Sequence, residues 1–115
     1  MKIELRILPA HVLALATALD FLPKMQGLSR SQMIIRSVMD NTTIKIHKKR
    51  IDIKNQTDVF NQKKKIKVTI EFSEAHYLEI FIGMVLENKS FFLLSEYDRN
   101  ALLLIANTLN QKLVL

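Results

Sequence analysis

Residues 2–7 alternate strictly, Lys2, Glu4 and Arg6 against Ile3, Leu5 and Ile7, and Pro9 follows almost at once. A period of two puts each class on its own face of a β-strand, so the pattern reads as a strand with one buried face and one wet face. Proline cannot continue a ladder, but its fixed φ and missing N–H suit the first turn of a helix. Residues 9–22, rich in Ala and Leu, fit that helix, and Pro23 ends it. A lone strand with short helices leaves its edge unpaired and buries too little apolar area. The chain therefore needs a second strand of the same kind.

Lys65-Ile66-Lys67-Val68-Thr69-Ile70-Glu71-Phe72 repeats the alternation, with Ile66, Val68, Ile70 and Phe72 expected inward. Ser73 is a good cap for a helix over 74–87, and after a loop containing Asn88-Lys89-Ser90 a last helix opens at Leu94-Ser95-Glu96-Tyr97-Asp98 and runs to about residue 112. The first strand has its own second helix. In Gly27-Leu28-Ser29-Arg30-Ser31-Gln32, Ser29 and Gln32 form a Ser-x-x-Gln capping box. Beyond it Met33, Ile34, Ser37 and Val38 fall on one face, with Arg30, Gln32, Arg36 and Asp40 on the other. The order strand-helix-helix thus occurs twice, and a repeat of that kind decides the fold.

Strand, Leu-Pro, helix, then Gly27-Leu28-Ser29-Arg30-Ser31 before a second amphipathic helix resembles the ribbon-helix-helix superfamily of DNA-binding proteins. Arg6-Ile7-Leu8-Pro9 carries one residue more than the family's usual Arg-Leu-Pro, implying a bulge or a shifted helix start. Such proteins normally pair two copies. Here the resemblance implies an α+β fold in which two tandem units share one chain, with an intramolecular two-stranded antiparallel ribbon over a four-helix core. The first unit covers residues 1–41, a basic linker 42–63, and a second, degenerate unit 64–115. Within the linker Thr43-Ile44-Lys45-Ile46-His47 and Arg50-Ile51-Asp52-Ile53-Lys54 alternate around Lys48-Lys49 and suggest a small hairpin, although the turn lacks an Asn-Gly signal.

Charge is unevenly spread. Residues 1–72 carry fourteen Lys and Arg against six Asp and Glu, whereas residues 73–115 carry three against five. A basic half of this kind favours phosphate backbones, with affinity that falls steeply as salt rises. A two-stranded ribbon fits the major groove of B-form DNA, and its outward residues reach base edges. The base-contact candidates are Lys2, Glu4 and Arg6 from the first strand with Lys67 and Thr69 from the second, joined by Glu71. Arg6 and Lys67 suit guanine O6 and N7, Thr69 a thymine methyl, and Glu4 a cytosine N4. Carboxylates beside phosphates weaken binding, so Glu4 and Glu71 are alternatively partners of Lys65 or Lys67 across the ribbon. Lys48, Lys49, Arg50, Lys63, Lys64 and Lys65 are candidate phosphate contacts. In the family the N-terminus of the second helix anchors a phosphate through backbone N–H groups and the helix dipole, and the resemblance gives that role to Ser29, Arg30 and Ser31. Glu96 and Asp98 occupy the corresponding place in the second half and would repel a phosphate, so an asymmetric module is expected.

Half of the residues are apolar and a quarter charged, enough for a single core over about 115 residues. Absence of cysteine excludes disulfides and thiolate metal sites, and no apolar run is long enough to span a bilayer, so a cytoplasmic protein without membrane attachment is expected. His11, His47 and His76 are scattered, without metal-ligand spacing, and there is no Gly-rich phosphate loop, so neither catalytic residues nor a metal or cofactor are expected. His11 and His76 both fall early in a helix, which suggests packing or capping. The methionines and Phe91-Phe92 read as core. The leading function is sequence-specific binding of double-stranded DNA, as a transcriptional repressor or a plasmid transfer or partition accessory protein. The competing class is a protein-interaction adaptor that keeps the fold without the DNA surface, with a homo-oligomeric or protein partner on the acidic C-terminal half. An RNA-binding domain is disfavoured, because the strands lack exposed aromatics on which bases stack.

Overall fold

The computed structural model describes residues 2–21, 30–54, 65–88 and 93–113, and of Ser31, Gln32 and Lys54 the backbone alone. The element order is β1 (Lys2–Ile7), α1 (Pro9–Leu19), α2 (Arg30–Lys54), β2 (Ile66–Glu71), α3 (Phe72–Glu87) and α4 (Glu96–Leu113). The described residues make an α+β fold with one two-stranded antiparallel sheet and four helices. The register runs from Lys2 opposite Glu71, through Leu5 opposite Val68, to Ile7 opposite Ile66. No residue is skipped over β1, so the extra residue before Pro9 makes no bulge there. Leu8 instead becomes an extended N-cap, with Pro9 as the first helical residue.

Alternation does what it predicts on both strands. Ile3, Leu5 and Ile7 of β1 and Val68 and Ile70 of β2 are buried, and Ile66 is packed at the edge of the same core. Phe72 departs from the expectation. The backbone turns helical there, and its ring is 37% exposed. Consequently Ser73 is not the cap of α3. Glu71 is the N-cap, in a capping box with Glu74, whose Oε1 accepts the Glu71 N–H at 3.2 Å. A Glu-x-x-Glu box closes the turn as Ser-x-x-Glu does, and it starts the helix two residues sooner.

The larger correction concerns residues 43–54. They form no hairpin: α2 continues through them for 25 residues in all. In a helix, residues two apart point to nearly opposite sides. Ile46 and Ile53 are accordingly buried while Ile44 and Ile51 are 53% and 60% exposed, which imitates the alternation of strands. The true period emerges only over the whole helix, where Ile35, Met39, Thr42, Ile46 and Ile53 face inward at steps of three, four and seven. For the same reason the Met33-Ile34 face is not the core face, since both side chains are exposed. Met39 is core and Met84 packs against it, whereas Met33 is not core. Phe91 and Phe92 lie outside the described residues. α1 also stops earlier than residue 22, at Leu19, where the Asp20 and Phe21 N–H groups bond the Ala16 and Ala18 carbonyls.

α1 packs against both α2 and α4, and α3 likewise packs against both. The first helix of each half therefore lies between the second helices of the two halves, and one core spans them. Counting from the helix starts, Pro9 with Phe72 and Arg30 with Glu96, some buried positions coincide, Leu15 with Leu78, Leu19 with Ile82, Ile35 with Ala101 and Met39 with Ile105, whereas buried Leu102 and Leu109 of α4 match exposed Arg36 and half-buried Thr43 of α2. On the same count Leu5 corresponds to Val68, the residue it faces across the ribbon.

Candidate nucleic-acid interface

With every strand apolar residue turned inward, the other face of the ribbon presents Lys2, Glu4 and Arg6 opposite Glu71, Thr69 and Lys67. These six are the residues expected to face outward. Lys67, Thr69, Glu71, Lys2 and Arg6 are exposed and Glu4 is half-buried. Glu4 is the hub of the charges. Its Oε1 lies 3.1 Å from Lys67 Nζ and 3.9 Å from an Arg6 guanidinium nitrogen. The Lys67 hydrogen bond and charge, with a smaller contribution from Arg6, hold the Glu4 carboxyl below the usual carboxylate range. The cross-strand carboxylate-lysine pair is thus formed at Glu4.

The basic residues outside the ribbon divide into those that are free to meet a ligand and those already engaged. Lys65 is exposed immediately before β2, and Lys48 is exposed and Lys49 half-buried on α2. Arg50 is committed elsewhere, bonding Asp20 at 2.9 Å and so pinning the end of α1 to α2. His47 Nε2 stands 3.0 Å from the other Asp20 oxygen without hydrogen-bond alignment. Lys45 reaches the ribbon from α2, 3.4 Å from the Thr69 carbonyl and 3.6 Å from Glu74 Oε1. Because residues 43–54 are helical, Lys48, Lys49 and Arg50 are spread around a helix rather than gathered in a turn. Ser29, Lys63 and Lys64 lie outside the described residues.

Arg30 opens α2, is exposed, and has no acidic residue in the turn that follows it. α4 begins differently, with Ser95 Oγ accepting the Asp98 N–H at 3.1 Å and with Glu96 and Asp98 in the first turn. The two second-helix starts are thus electrostatically unlike, as the sequence leads one to expect. His11 sits 6.2 Å, ring to ring, from Tyr97, and its pKa is lowered by burial and, to a smaller extent, by Lys65. His76 is exposed with its ring edge-on to Tyr77.

One polar cluster of this region escaped the sequence reading. Glu74 is buried, and its Oε2 accepts the hydroxyl of the fully buried Thr42 at 2.6 Å. A Thr on a helix and a Glu on another carry no local signal of such a pairing, which arises from the packing of α2 on α3. Among the described residues no group of three His, Cys, Asp or Glu could hold a metal ion, and no helix is long and apolar enough to cross a membrane. Comparison with protein-family models, with curated proteins and with solved structures finds no match to the chain.

Proposed function

We propose that the chain is a tandem ribbon-helix-helix protein that binds double-stranded DNA by laying its ribbon in the major groove. The observation that carries this reading is the outward face of the ribbon. It is wholly polar, two residues wide and three pairs long, with Arg6, Lys67 and Lys2 on it and Lys65 beside it. A ribbon of that width enters the groove. The interleaving of the four helices and the pairing of Leu5 with its counterpart Val68 support the tandem part of the proposal, since one unit supplies the partner of the other. Lys2, Arg6, Lys67 and Thr69 read bases, while Glu4 orients Arg6 and Lys67. Arg30 with Ser29 and Ser31 holds a phosphate at the start of α2, and Lys48, Lys63, Lys64 and Lys65 add backbone attraction. Such a protein acts in the cytoplasm as a repressor or as an accessory factor at a plasmid transfer or partition site.

A second reading, a protein-interaction adaptor, draws on the Glu4–Lys67 pair, which neutralises part of the ribbon, and on Tyr97, Leu103 and Leu104, half-exposed on an α4 that starts with two carboxylates. Selection of retained sequences from random duplex DNA, at two salt concentrations, separates the two. The DNA reading expects a short enriched motif, loss of the motif in Arg6→Ala and Lys67→Ala, and weaker retention at the higher salt. No retention at moderate salt refutes it and leaves the adaptor.

A further inference from the structure

Counted from their helix starts, the two halves can be compared position by position, and at one place they differ in kind. In the second half Glu74 fills the angle between the ribbon, the start of α3 and the flank of α2. Its carboxylate takes the Thr42 hydroxyl, the Glu71 N–H and the charge of Lys45. In the first half the corresponding positions are His11, Thr108, Leu8 and Gln111, which bring no carboxylate. Thr108 turns its hydroxyl to the Leu104 carbonyl at 3.0 Å instead, and the N-cap Leu8 offers no side-chain acceptor. What stands there is a cavity of about 270 Å³.

The cavity's walls have two characters. Buried Ile7 and Ile105, with half-buried Leu8 and exposed Leu104, give it apolar walls, while Arg6, His11 and Lys65 supply cationic or proton-bearing groups and Thr108 a hydroxyl. Among the described residues no acidic one lines it, although Glu4 lies 3.9 Å from Arg6 at its edge. Lys65 is close enough to His11 for its charge to disfavour the imidazolium. The volume falls just under the range of about 300–1,000 Å³ usual for pockets that hold drug-sized ligands, room for a small molecule only.

We infer that this cavity binds a small carboxylate with a short apolar body, the carboxylate taking the position that Glu74 fills in the other half. Arg6 and Lys65 face the charge, Thr108 turns its hydroxyl from the Leu104 carbonyl to donate to it, and the apolar body rests on Ile105 and Leu104. The inference is independent of whether the ribbon reads DNA.

Hexanoate and hexanol are matched probes, equal in chain length and differing in charge. Titration of the full chain followed by amide NMR should give saturable shifts at Leu8, His11, Ile105 and Thr108 with hexanoate, and binding at least about tenfold weaker with hexanol. Arg6→Ala combined with Lys65→Ala, both substitutions of solvent-reaching side chains, should bring hexanoate down to the level of hexanol. His11→Glu, which supplies the missing carboxylate from within, should abolish hexanoate binding. Absence of saturable shifts in the low-millimolar range, equal binding of the two probes, or undiminished hexanoate binding in His11→Glu would each overturn the inference.

Discussion

Glu4 decides how much of the ribbon's positive charge is available. It is the acceptor for Lys67 and the near neighbour of Arg6, and its lowered pKa records both attractions. The pairing is intact above the ordinary carboxylate range and is lost as pH falls through the lowered value, which frees Lys67 in acid. Removing the charge does the same at neutral pH. Glu4→Gln should raise affinity for random-sequence DNA about three- to tenfold at low salt and steepen its salt dependence, measured by fluorescence anisotropy. His11 offers a second check of local electrostatics. Burial and Lys65 depress its pKa, so NMR titration should find it below the ordinary histidine value, and Lys65→Ala should raise it part of the way, burial being the larger cause. The sign for stability follows: His11 favours the folded chain above its unfolded pKa, and that contribution is lost as pH falls through the folded value.

At the scale of elements, the strands were legible and α2 was not. Period two needs only six residues to declare itself, and Lys2, Glu4, Arg6, Lys67, Thr69 and Glu71 face outward as their positions imply. Pro9 likewise marks the start of α1, and Ser95 the start of α4. In α2 the two Ile-x-Ile triplets at residues 44–46 and 51–53 each split between core and solvent, so a short window sees a strand where the full length makes a helix. The partners of Glu74 were illegible for another reason: contacts between side chains distant in sequence follow from packing, and no local pattern encodes them. Lys48→Pro tests the helix directly. In mid-helix it removes a backbone hydrogen bond and clashes with the preceding turn, a loss of about 3 kcal/mol or more, whereas a turn at Lys48-Lys49 would tolerate it. Urea unfolding of the variant should show that loss as a lower midpoint.

For the molecule as a whole, both strands of the ribbon and all four helices around the core belong to one chain. Folding is then unimolecular, and the urea midpoint should stay fixed when protein concentration is varied a hundredfold or so, whereas a ribbon shared between two chains would shift it by mass action. Interleaved packing of α1 and α3 between α2 and α4 also predicts one cooperative transition rather than two, because neither half has a core of its own. The correspondence of the two halves counted from Leu5 and Val68 has one further consequence. The two ends are chemically different, with a filled carboxylate site at one and a cavity at the other, with Arg30 opening α2 and Glu96 opening α4. A body of this kind has a head and a tail. Placed on a duplex it would point one way along it, and the sequence it prefers would read differently on the two strands instead of repeating as a palindrome.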